Sequence, residues 1–331
     1  MCPVLVRPAS DAEMSAKYDS FDLAKVTRPC EQDYDRRLSL TTSFLARPIA
    51  LSPLDSKNMV TTQALFLMLA LSAFSAMIQA QTTAVDASSL TTMAFIAEGP
   101  YVMGSNDGPD DEKPEHRIFV KAFLMDVLPV SNTDFAKFLN ARGLKNHLGE
   151  SFYDDDDRDA RIHKQNSLWQ ADPGYATHPV NEVSWLGARD YCAWLKKRLP
   201  TEAEWEKAAR GTDGRKYPWG NTKPDRKQAL FGAAYNSSAP VDAFPSGASP
   251  FGVLDLSGNQ WEWVSSAYRP YPYSAHDGRE NQTPGPVRST RGGGHDSSED
   301  EITTTQRGRN LSRSPNAGHH NIGFRCATDH K

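Results

Sequence analysis

The chain has 331 residues, a formal net charge of −4, 38% hydrophobic and 24% charged residues, with 22 Gly, 22 Pro and 7 Trp. That balance describes a loop-rich globule with enough apolar surface for a core, and it excludes a fibre or a wholly disordered chain. The charge is small and mixed and no basic stripe is interleaved with aromatics, which argues against nucleic-acid partners.

Residues 1–58 carry scattered charge without a sustained period, and read as a poorly ordered extension or as sequence upstream of the true start. Residues 59–80 contain an uncharged run, Ala64 to Ala80, that ends in small residues, as a signal peptide and its cleavage region require. Left uncleaved, the run is at the lower length limit for a membrane anchor; a buried core helix is the alternative. The expectation is export, periplasmic or secreted, with membrane contact only through this segment. A linker over 81–94 and one domain over 95–331 follow.

The runs FIAEGPYVMGS and EHRIFVKAFLM, between Phe95 and Met125, alternate apolar and polar residues around Gly and Pro and predict paired strands. Ser131 caps a short helix with Phe135, Phe138 and Leu139 on one face and Gly143 as its stop. Residues 144–182 are polar and irregular. Within them Asp154 to Asp157 read as a solvated loop, calcium being the alternative for four adjacent carboxylates. Ser184 caps a second helix, in which Ala188, Tyr191, Cys192, Leu195 and Leu199 recur at three and four until Pro200 ends it. A third starts in the box Thr201 to Glu204, turns Trp205 and Ala208 inward and exits at Gly211. Beyond Gly211 there are only short strand-like runs, KYPWGN, APVDAF, FGVLDL, WEWVSS, RSTRGGG and NIGFRCA, which makes this a low-regularity α+β domain.

Three blocks, RLPTEAEWEKAARG (Arg198 to Gly211), GNQWEW (Gly258 to Trp263) and NIGFRCA (Asn321 to Ala327), resemble the formylglycine-generating enzyme family, also called the sulfatase-modifying factor domain. The resemblance runs from about Phe95 to Thr328 and implies an α+β fold that is a variant of the C-type lectin architecture. Cys2 and Cys30 precede the apolar run, leaving Cys192 and Cys326 in the domain. These two alone fit a bridge or a pair of buried thiols; the resemblance implies one structural disulfide. Closing a loop of ~130 residues stabilises by roughly 4–5 kcal/mol on the chain-entropy account.

In DLSGNQWE two carboxylates flank a tight turn, a hard-oxygen arrangement that suits calcium. The resemblance implies a structural calcium held by Asp255, the carbonyls of Gly258 and Gln260, and Glu262; the alternative is that Glu262 only accepts hydrogen bonds from the turn. A second calcium site of the family lacks its side-chain ligand, because Leu230 stands there. The family's oxidases bind copper(I) through two cysteines and activate oxygen to turn a substrate cysteine into formylglycine. Counting from the RGG turn and back from GFRCA puts Ser297 and Ile302 at those positions. Neither offers the soft sulfur that copper(I) needs, so copper is not expected. A further disulfide of some members is missing at both ends, with Ala209 and Arg307 in its place.

The same segment supplies other donors. Arg291, His295, Asp296, Ser297, His319 and His320 are candidates for a cleft, and two histidines with a carboxylate would suit non-haem iron. Solvent-exposed histidines in a Gly-rich loop are the plainer reading. Ser297 and Ser298 beside His295 lack the strand-elbow setting of a hydrolase. Gly292 to Gly294 fit a close-packed turn better than a phosphate cradle. Trp219, Trp261, Trp263, Tyr268, Tyr271 and Tyr273 read as core or cleft wall, and AYRPYPYS as a possible binding surface for a peptide or glycan. Two functions follow: an exported binding or accessory module taking a peptide, glycan or small molecule, or a divergent oxidoreductase acting on a peptide or secondary metabolite.

Overall fold

The protein is seen in a computed structural model that describes residues 92–331, apart from 284, 286 and 309–316. The N-terminal extension and the apolar segment read as a signal or anchor lie outside the described residues. Strand β1 (Met93–Ile96) begins inside the stretch read as a linker and pairs antiparallel with β4 (Phe123–Asp126). Strand β2 (Gly99–Met103) pairs with β3 (His116–Val120), so the alternating runs nest as two antiparallel pairs. The C-terminal β10 (Ala327–Asp329) takes the other edge of β4.

Helix α1 (Asn132–Arg142) starts where Ser131 accepts the Asp134 amide and ends at Gly143, whose φ of +80° a side chain would resist. Helix α2 (Trp185–Trp194) has the Ser184 cap, but it stops short of the predicted Leu199. Lys196 turns to φ +59° and Arg198 leaves to bridge Ala327, because a strand-like contact with β10 replaces the last helical turn. Helix α3 (Glu202–Arg210) has both halves of the Thr201–Glu204 capping box, and every residue of it is buried.

Segment 144–182 is less irregular than its sequence: β5 (Ile162–Gln165) and β6 (Leu168–Ala171) form a hairpin across Asn166 and Ser167, both at positive φ. Further along, β7 (Trp261–Ala267) lies between β8 (Arg288–Arg291), antiparallel, and β9 (Ile322–Phe324), parallel. The runs KYPWGN, APVDAF and FGVLDL are not strands. Their backbones make isolated bonds, such as Val241 N–H to Thr177 and Leu254 N–H to Val127, where no neighbouring strand offers a ladder.

One apolar core joins α1 and α2 to Trp261, Trp263, Ile322 and Phe324; a second joins β1–β4 to α3, Val253, Leu256 and Val264. A disulfide, Cys192–Cys326, ties α2 to the link between β9 and β10.

Candidate functional site

Helix α3 sets the scaffold under the site. Glu202 and Glu206 are fully buried, and burying a carboxylate is tolerable only when a cation and hydrogen bonds compensate it. Arg307 Nε donates to Glu202 at 2.7 Å, Arg291 Nη2 donates to Glu206 at 2.5 Å, and the other Glu206 oxygen accepts the Gly104 amide at 2.8 Å. The guanidiniums hold Glu202 below the usual carboxylate range against the opposing effect of burial. Arg291, expected in the cleft, is therefore a core ion at 0% exposure. In the loop Tyr268–Tyr273, Tyr271 is buried and Tyr268 half-buried, and both pack on the Arg307 guanidinium, at 4.1 and 4.5 Å, while Arg269, Pro270 and Pro272 stay exposed. At the two positions that the resemblance gives to a further disulfide, Ala209 is buried in α3 and Arg307 is ion-paired to Glu202 of the same helix.

Above this scaffold opens a cleft of about 990 Å³. Its lining mixes Asp111, Glu112, Asp296 and Glu301 with Arg210, Lys216 and Arg307, so charges of both signs face it. Trp261 and Ser297 also line it. The Ser297 hydroxyl accepts the Gly294 amide at 3.1 Å, and Ser298 bonds Glu301. Neither hydroxyl is bonded to a histidine, so no activated nucleophile is assembled. Ile302 is absent from the cleft lining and fully buried, packed with Tyr217 and Ala229. Positions 297 and 302, where the family resemblance leads one to expect sulfur in an oxidase, thus hold a turn-bound hydroxyl and a core side chain. With Cys192 and Cys326 bridged, the described residues contain no free thiol.

The glycine turn is a device for close approach. Gly292 and Gly293 take φ of +98° and +78°, and a Cβ on Gly294 would lie 2.9 Å from Asp296 Oδ1. That tightness delivers His295 and Asp296 to one side of Trp261, while the chain after residue 317 returns His319 and His320. Ligand atoms of His295, Asp296 and His320 all lie within 4.8 Å of one another. His295 is fully buried and its Nδ1 lies 2.9 Å from the Asn259 carbonyl. Burial lowers the pKa of His295 and of His319. Asp296 accepts from Asn321 Nδ2 at 3.0 Å and faces His320 Nε2 at 3.6 Å, and the imidazole holds its carboxyl well below the usual range. His319 lies beside His320, the rings 4.6 Å apart and tilted by 36°.

The expected calcium residues are placed as follows. Asp255 is buried, accepts from Asn259 Nδ2 at 2.7 Å through one oxygen and leaves Oδ1 without a partner; burial pushes its pKa up to about 7. Both Glu262 oxygens meet donors, Arg325 at 2.6 Å and Trp205 Nε1 at 2.8 Å, rather than amides of the turn. The Leu230 carbonyl accepts the Asn259 amide. A second acidic group, hidden from the sequence, joins Asp154 and Asp157 to the buried Glu182, again within 4.8 Å; burial raises Glu182 to about 8.

A family profile described as "Sulfatase-modifying factor enzyme 1-like domain" matches residues 79–330. The chain belongs to this family. The serine/threonine-protein kinase pkn1 of Chlamydia caviae is 38% identical over 244 residues, which are 72% of this chain but only 38% of the kinase. The chain thus spans well under half of that relative. The inactive C-alpha-formylglycine-generating enzyme 2 of Mus musculus is 33% identical, covering 71% of this chain and 85% of its own. Among solved structures, PvdO from Pseudomonas aeruginosa matches with a TM-score of 0.57 at 25% identity, over 72% of this chain and 94% of that one. Family members of this kind share the low-regularity α+β build described above.

Proposed function

We propose that the chain is an exported binding or accessory module of the sulfatase-modifying factor family, and that it does not make formylglycine by the copper route. One feature supports this reading: Ser297 and Ile302, which the family resemblance aligns with the oxidases' cysteines, carry no sulfur, and the first is bound into a turn and the second sealed in the core. Copper(I) prefers sulfur strongly over hydroxyl oxygen, and a buried isoleucine offers nothing. The mixed-charge cleft then serves a peptide, glycan or small molecule. Export rests on the apolar run Ala64–Ala80 and fits the oxidised cysteine pair. Kinase activity is not carried over from the chlamydial relative, because the 331 residues contain neither an HRD nor a DFG sequence.

A structural calcium at Asp255 belongs to the same reading. The unpartnered Oδ1 is the supporting feature, and Glu262 would share its carboxylate between the ion and Arg325.

The test is a peptide carrying a sulfatase Cys-x-Pro-x-Arg motif, incubated with the protein, oxygen and supplied copper and followed by mass spectrometry. The expected product is none, and formylglycine above a no-enzyme blank contradicts the reading. The oxidoreductase alternative draws on His295, Asp296 and His320; stoichiometric iron in protein from its own host would favour it.

A further inference from the structure

Among the described buried polar groups, the histidines beside the glycine turn lack partners in a particular way. A backbone carbonyl only accepts, so the 2.9 Å contact from His295 Nδ1 to the Asn259 oxygen puts the proton on Nδ1 and leaves a lone pair on Nε2. That Nε2 is buried and without a hydrogen-bond partner, in a residue with 0% exposure. The Nε2 of His320, whose side chain is 10% exposed, is also unpartnered. The 3.6 Å approach to Asp296 is too long for a hydrogen bond. A buried acceptor left unmade is costly, and the lone pair on His295 Nε2, beside an unbonded His320 nitrogen and a carboxylate, asks for a shared partner.

We propose that His295, His320 and Asp296 bind a divalent first-row transition-metal ion at the rim of the cleft. Two imidazoles and one carboxylate select such an ion over calcium or magnesium, which prefer all-oxygen shells. The carbonyl of Asn259 fixes the His295 tautomer and ring, the role outer partners play at metal histidines, and Asn321 does the same for Asp296. Bonds of roughly 2.1 Å place the ligands of one ion at most ~4.2 Å apart, and ligand atoms that already lie within 4.8 Å of one another reach that with small side-chain movements. Gly294 keeps the turn tight enough to hold Asp296 there, since any Cβ would press on its Oδ1. Three protein ligands leave an open position, and Asp296 lines the cleft, so that position is available to water or to a donor group of the cleft's ligand. A simple His320–Asp296 ion pair would leave His295 Nε2 unexplained.

The site stands independently of the accessory reading. The full chain, stripped with a chelator, is titrated with cobalt(II) and then back-titrated with zinc. Saturation at one equivalent with ligand-field bands in the visible is expected. Asp296→Asn and His320→Gln should each weaken binding on the order of 100-fold, while His319→Gln keeps it. Melting curves of the three variants report on folding, and the exposed Asp296 keeps the test alive if His320→Gln does not fold. No bands in the wild type, or equal affinity in Asp296→Asn, His320→Gln and wild type, overturns the proposal. Resident iron in protein from its own host would uphold the site and defeat the accessory reading; resident zinc upholds both.

Discussion

Two buried polar regions lie on either side of the 288–308 segment, and they differ in how their atoms are satisfied. Around Glu202 and Glu206 each carboxylate oxygen meets a donor, most of them from Arg291 and Arg307, and Arg307 packs on two tyrosine rings; only donor nitrogens of Arg279 and Arg291 are left over. Around Asp296 the Nε2 atoms of His295 and His320 make no hydrogen bond, His320 only facing the carboxylate at 3.6 Å. Paired buried charge is scaffold; buried ring nitrogens left without hydrogen bonds beside a carboxylate mark a place for something else.

The sharpest way to break the comparison is at the scaffold. Glu202→Gln removes one carboxylate from under Arg307 and Arg291, leaving buried positive charge uncompensated, and should cost about 3–5 kcal/mol in urea unfolding. A loss below ~1 kcal/mol would mean the network is not structural.

Next comes Glu182, which belongs to neither type: it is buried, 3% exposed, among like charges. Its folded pKa of about 8 lies above the model-peptide 4.5, so the folded state holds the proton more tightly. That stabilisation is present below pH 4.5 and is lost as pH rises through 8, amounting to about 3 kcal/mol by pH 7. Glu182→Gln should flatten the decline and raise the melting temperature at pH 8. A lower melting temperature in that variant would show that the carboxylate is compensated in solution.

The smallest effect is predicted at the proposed metal site. Asp296→Asn and His320→Gln should each change metal-free stability by only about 1 kcal/mol or less, because Asp296 is exposed and its pair with His320 is long at 3.6 Å. A large loss would turn the cluster into another structural network.

Much of the frame was legible from local chemistry. Ser131, Ser184 and Thr201 read as caps and act as caps, and Gly143 and Gly211 end their helices. The absence of sulfur at 297 and 302 is a fact of the chain itself. The β5–β6 hairpin escaped notice because its turn is Asn166-Ser167, without the glycine that normally announces two positive φ values. The early end of α2 depends on Ala327, and the inward turn of Arg291 on two glutamates of α3, both distant in sequence. The same holds for the site. His295 and Asp296 were visible as candidates, but only the fold brings His320 to them and Asn259 behind them, and only the fold gathers Asp154, Asp157 and Glu182.

The most direct measurement is elemental analysis of the protein purified from its own host, wild type beside the Asp296→Asn/His320→Gln double variant. About one equivalent of a divalent transition metal in the wild type and only traces in the double variant is the predicted result. One equivalent retained in the double variant, above all of copper, would contradict it.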